Sequence, residues 1–193
     1  MTKSTKTKKQ PIHLRDIILI ALIGIIFGVI YFSTDFLYNA ITVALTPLKW
    51  GPAADDIVIG IWCMAGPIAG FLVPHIGSAF LGEFLGAAGE AVLGGEWGAS
   101  TLITGFLQGI AAELGFTFTG YKKYNWGTTM VTVITMTVVT YAWHWIKHGY
   151  GHFTIQMQIA LFLISFVSMF LFSGVLVQLI IKILKRTHLF NEA

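Results

Sequence analysis

Charge is scarce in this 193-residue sequence: 11% of its residues are Asp, Glu, Lys or Arg, against 55% hydrophobic and 14% aromatic. Soluble domains carry about a quarter charged residues, so this deficit, with a mean hydropathy of +0.76, excludes a water-soluble class. Cysteine is almost absent. Cys63 has no second thiol to pair with, which rules out a disulfide framework or a cysteine metal cluster within the chain. At roughly 20 residues per crossing, about six membrane helices use up the length and leave no room for a large soluble domain. Phosphate-binding and hydrolytic signatures are missing as well: there is no Walker A loop, no GxSxG and no HExxH. The chain therefore has no means of hydrolysing ATP. Uphill movement of a solute would have to draw on a gradient or on partner subunits. A membrane enzyme would need a positioned nucleophile or metal cluster, and the sequence offers scattered histidines, so no enzymatic activity and no cofactor are expected.

What is present reads as an all-α polytopic membrane protein. Six apolar segments cover about 14–38, 57–73, 76–93, 99–118, 126–146 and 153–184, broken at Pro47 and Pro52, Pro74, Gly94 and Gly95, Gly120, and Gly149 and Gly151. The N-terminal MTKSTKTKKQ is basic and lacks an apolar core before a cleavage site, so it reads as a cytoplasmic tail and not a signal peptide. The expected organisation is a tail over 1–13, a six-helix domain over 14–186 and a second tail over 187–193. An even helix count puts both termini on one side. That side holds Lys3, Lys6, Lys8, Lys9, Arg15, Lys122, Lys123, Lys182, Lys185 and Arg186, leaving Lys49 and Lys147 for the other, so both termini are expected in the cytoplasm. The net charge of +3 is then a topology signal that also allows contact with lipid, and nothing supports nucleic-acid binding.

This topology sorts the aromatic residues unevenly. Trp50, Trp62, Trp97, Trp143 and Trp145 fall on the outer side with Asp35, Tyr38, Glu90, Glu96, Tyr141 and His144, while Trp126 lies inside. An interfacial aromatic belt explains any single ring, but a belt should mark both faces. The one-sidedness favours an outward-facing pocket for a small, flat, cationic or hydrogen-bond-donating molecule. Within the stretch GEFLGAAGEAVLGGEWG, Glu83 and Glu90 stand seven residues apart on one helix face, about 10 Å along the axis. Ionisable groups at this depth are costly and mark functional sites by default, although hydrogen bonding between helices would also account for each one. Gly82, Gly86 and Gly89 beside them permit close helix packing.

His144, His148 and His152 follow an i, i+4, i+8 spacing that suits metal ligation in principle, but Gly149 and Gly151 break the helix before His152, so no metal site is expected. Asp55 and Asp56 read as solvated charges or a helix cap. Glu113 reads as capping or bridging helices. A proton- or ion-coupled secondary transporter of a small cation would also bury acidic residues, but it should show two related halves with broken helices, and neither is visible in the sequence.

The basic tail, the helix count, the stretch PLKWGPAADDIVIGIWCMAGPIAGFLVPHIGSAFLGEFLGAAGEAVLGGEWG and the following LITGFLQGIAAELGF together resemble the YkoE family over nearly the whole length. These are substrate-capture (S) subunits of energy-coupling-factor (ECF) vitamin transporters, associated with thiamine and its hydroxymethylpyrimidine precursor. Older labels for the family speak of cobalt. The metal-uptake branch carries a histidine directly after the initiator methionine, and here that residue is Thr2. The resemblance implies capture of the vitamin from outside, with a membrane coupling subunit and two cytoplasmic ATPases supplying the energy. It implies Glu83 or Glu90 meeting the thiazolium or the exocyclic amine, and Trp62, Trp97, Trp143 and Tyr141 as stacking faces. Asp35, Tyr38 and His144 are further candidates for the substrate site. Docking to the coupling subunit would use small residues on the first helix, here Ala21, Gly24 and Gly28, for which packing within the chain is an equal alternative.

Overall fold

The computed structural model describes residues 12–186 except Lys123. Of the expected tails over 1–13 and 187–193, residues 1–11 and 187–193 lie outside the described residues. All regular structure among the described residues is helical: α1 (Leu14–Leu45), α2 (Ala53–Val58), α3 (Ala65–Leu72), α4 (Ser78–Val92), α5 (Ser100–Phe118), α6 (Trp126–Lys147), α7 (Ile155–Met169) and α8 (Val177–Arg186), with a π-helical stretch at Phe170–Leu176 joining the last two. Polar side chains fix several ends. His13 donates its backbone N–H to Asp16, Asn125 accepts from Gly127 and Thr128 at the start of α6, and Thr154 accepts from Met157 at the start of α7.

Four stretches, Leu14–Leu48, Ser100–Phe118, Trp126–Lys147 and Ile155–Arg186, are long and apolar enough to cross a bilayer. The expected second and third crossings are shorter. The α4 helix has 15 residues, about 22 Å of rise. The second segment, expected as one helix over 57–73, is interrupted between α2 and α3. Alternating chain direction returns α8 to the end where α1 begins, and Gln178 of α8 donates to Thr129 near the start of α6.

Small residues set the packing. The α4 helix lies against α1, α3 and α5, and each contact runs through a glycine. A Cβ on Gly28 would stand 2.8 Å from Gly89 Cα, one on Gly82 2.4 Å from Ala69 Cβ, and one on Gly105 2.3 Å from Ala87 Cβ. Lipid supplies no hydrophobic drive for helices to associate, so backbone approach of this kind supplies the van der Waals contact that holds them. Gly24 and Gly28 both face α4 in this way and are buried, whereas Ala21 is exposed. Of the three residues expected to dock a coupling subunit, two are therefore covered within the chain.

The interruption leaves backbone groups without helical partners, which serines of α7 and the π-helical stretch satisfy. Ser168 Oγ donates to the Ile57 carbonyl (2.6 Å) and accepts from Gly60 N–H (3.0 Å), while Ser173 Oγ donates to the carbonyls of Gly60 and Cys63 (2.8 and 2.9 Å). Irregular backbone is tolerated at this depth only where protein supplies its partners. A broken helix is thus present, contrary to the sequence reading, though in one segment of the described residues and without a related second half.

Candidate functional site

The break re-aims the second segment so that Ile59 and Trp62 face the end of the bundle opposite the start of α1. There they line a cleft with Tyr31 of α1, Asp55 of α2, Ala87 and Glu90 of α4, Thr101, Thr104 and Gln108 of α5, His144 and Lys147 of α6, and Trp97 of the α4–α5 loop. This mixture of rings with a few convergent polar groups is the composition of a small-molecule site. Trp62 is fixed by donating its Nε1–H to the Tyr31 carbonyl (3.1 Å). Tyr38 bridges the two tryptophans, with ring centroids 5.8 Å from Trp62 and 5.5 Å from Trp97. On the other side of Trp97, the Lys147 ammonium sits 4.2 Å from the ring centroid, so this ring already holds a cation.

The two glutamates of α4 differ in role. Glu90 lines the cleft and is 4% exposed. Gly95 lies between the Glu90 and Asp35 side chains, and a Cβ there would meet Glu90 Cγ at 2.8 Å and Asp35 Oδ2 at 3.2 Å. Glu83 does not line the cleft. It is fully buried, with Oε1 accepting from Tyr31 O–H (2.9 Å) and Oε2 from Gly66 N–H (2.7 Å). Tyr31 O–H in turn accepts from Ala65 N–H (3.0 Å). Of the two carboxylates expected in the pocket wall, Glu90 lines the cleft, while Glu83 stands behind Tyr31 and bonds it and the start of α3.

Other expected residues divide in the same way. Asp35 is buried near Glu90, accepting from Glu96 N–H (3.1 Å) through Oδ2, while its Oδ1 has no hydrogen-bond partner. Trp143 lies behind the lining and donates to Thr104 Oγ1 (3.0 Å). Tyr141 also supports from behind, donating to the Gln158 carbonyl (2.7 Å) and packing on Tyr150 at 5.7 Å. His144 enters the cleft directly.

Sequence reasoning missed the pair that His144 faces. Asp55 and Asp56 were expected as solvated charges or a helix cap; they lie in the first turn of α2 and are 7% and 0% exposed. Asp55 Oδ2 lies 3.1 Å from His148 Nε2 and 3.7 Å from His144 Nε2, and Asp56 Oδ1 lies 3.6 Å from His144 Nδ1. Tyr150 donates to Asp56 Oδ2 (3.0 Å), and its phenol is pushed far above the usual range by burial and then by Asp56, so it remains a donor. These residues join a second cavity shared by Tyr38, Asp55, His148 and Tyr150. Thr101, Thr104 and Gln108 were missed too, although their i, i+3, i+7 spacing is a polar helical stripe that could have revealed them.

Comparison with known proteins agrees with this architecture. Residues 15–139 match the family described as "ABC-type cobalt transport system, permease component". YkoE of Bacillus subtilis (strain 168), named an HMP/thiamine permease protein, is 25% identical over 177 residues, 92% of this chain and 86% of that protein. A crystal structure of an S-component of an ECF transporter superposes with a TM-score of 0.84 at 25% identity, covering 94% of this chain and 89% of that one. These relatives are membrane transport components and not enzymes. The chain belongs to the ABC-type cobalt transport permease-component family, and within it to the integral membrane S components of ECF transporters.

Proposed function

We propose that this subunit captures thiamine or its hydroxymethylpyrimidine precursor from outside the cell, for import driven by a membrane coupling subunit and two cytoplasmic ATPases. The observation that carries the reading is a buried carboxylate, Glu90, in a cleft walled by Trp62 and Trp97. An aminopyrimidine donates hydrogen bonds and a thiazolium carries positive charge, and a carboxylate among rings serves both, since charge-assisted hydrogen bonds are the stronger kind. The name of the Bacillus subtilis relative points to the same substrates.

In this reading the chain crosses the membrane six times with both termini inside, α2 with α3 and the short α4 completing the set. Arg15, Lys182, Lys185 and Arg186 then lie on the cytoplasmic side, and Lys49 and Lys147 outside. The outward face of α1, where Ala21 is exposed beside Ile17, Ile18 and Ile25, meets the coupling subunit.

Calorimetry on the purified chain with thiamine, hydroxymethylpyrimidine and cobalt ions tests the proposal. A pyrimidine compound should bind without ATPase partners, and Glu90→Gln should weaken it by about 10- to 100-fold. Absence of binding by every pyrimidine compound would overturn it.

A further inference from the structure

We propose that Asp55, His144 and His148 form a three-ligand site for a divalent transition-metal ion, with Asp56 orienting His144. Each residue offers one ligand atom, and the three atoms lie within 4.8 Å of one another. Ligands bound at about 2.0–2.2 Å stand roughly 3.0–3.5 Å apart in tetrahedral or octahedral geometry. Of the separations from Asp55 Oδ2, the 3.1 Å to His148 Nε2 falls within that range and the 3.7 Å to His144 Nε2 lies just above it.

A second observation is independent of those distances. His144 is 2% exposed, and neither its Nδ1 nor Asp56 Oδ1 has a hydrogen-bond partner, although the two atoms face each other at 3.6 Å. A metal-bound imidazole characteristically turns its other N–H to a carboxylate, which fixes its tautomer and raises its basicity. Asp56 is placed for that role, because Tyr150 holds its other oxygen at 3.0 Å. Two adjacent buried carboxylates beside two imidazoles also make a pocket whose charge a dication would balance.

The donor set specifies the ion class. Two imidazoles and a carboxylate without thiolate suit zinc- or cobalt-type ions better than calcium or magnesium. His152 is exposed in the turn after Gly149 and takes no part, so the third ligand is Asp55, which the fold brings from nearly 90 residues away. Asp55 and His144 both line the cleft, so the open coordination position faces it.

The test is titration of the full chain in detergent, after chelator treatment, with zinc chloride or cobalt chloride, together with X-ray absorption on the loaded protein. One equivalent should bind, with scattering from two imidazole ligands. His148→Ala should weaken binding by at least about 100-fold, and Asp56→Asn by about 10- to 100-fold. Lack of saturable binding, lack of imidazole scattering, or unchanged affinity in His148→Ala would each overturn the proposal. Thiamine calorimetry on the same chelator-treated chain reads the capture function separately, so failure of the metal site leaves that result standing.

Discussion

The two ends of the bundle handle acidic side chains in opposite ways. At the end where α1 begins, Glu113 of α5 accepts from the backbone N–H groups of Gly77, Ala79 and Phe80 (2.6, 3.1 and 3.1 Å) and from Tyr121 O–H, which caps the start of α4 and leaves the carboxylate fully engaged. At the other end, Glu90 lines a cleft, and Asp35 Oδ1, Asp56 Oδ1, His144 Nδ1 and Gln108 Nε2 have no hydrogen-bond partner. Glu83, between them, behaves like Glu113. Buried polar groups left unpaired are costly, so their gathering around the cleft supports the proposed capture site. Glu83 and Glu113 are engaged by protein donors on both oxygens, whereas Glu90 faces the cleft.

The sharpest way to break this comparison is to truncate the two glutamates of α4. Glu83→Ala leaves Tyr31 O–H and Gly66 N–H without an acceptor and should cost about 2–4 kcal/mol of stability, read as a lowered unfolding temperature in detergent. Glu90→Ala should leave that temperature nearly unchanged and abolish substrate binding. If Glu83→Ala retained full stability while losing affinity, the assignment of roles would be reversed. A smaller effect is expected at Trp97. Trp97→Ala removes a ring suited to a cation, worth roughly 1–2 kcal/mol, so calorimetry should show cationic thiamine weakened by about 5- to 30-fold and neutral hydroxymethylpyrimidine weakened less. Equal losses for both would assign the ring to shape and not to charge. The smallest effect belongs to Glu113→Gln. The amide keeps an acceptor for α4 but loses the charge at its N-terminus, which should lower stability by about 1 kcal/mol and leave substrate affinity as it was. A change in affinity there would mean that the two ends communicate.

Much of the helix layout was legible because hydrophobic runs and their breakers are local signals. The segments expected over 99–118 and 126–146 appear as Ser100–Phe118 and Trp126–Lys147. The second segment was misread because its apolar run continues through 59–64, while the break depends on Ser168 and Ser173, more than 100 residues away. The outer aromatic cluster was legible from the one-sided tryptophans, and Trp62, Trp97 and Glu90 do line the cleft. Asp55 and Asp56 were misplaced for the converse reason. Two adjacent aspartates after PAA read as solvated charges or a helix cap, and only the folded chain shows α6 and Tyr150 covering them.

The sequence by itself determined the solvent this protein lives in, its all-helical class and the end at which polar and aromatic groups gather, because composition and periodicity are properties of contiguous residues. Tertiary structure decided which carboxylate is saturated and which lines the cleft. Glu83 and Glu90 lie on similar faces of one helix, and the difference comes from Tyr31 and Gly66, which reach Glu83 from other elements and stop short of Glu90.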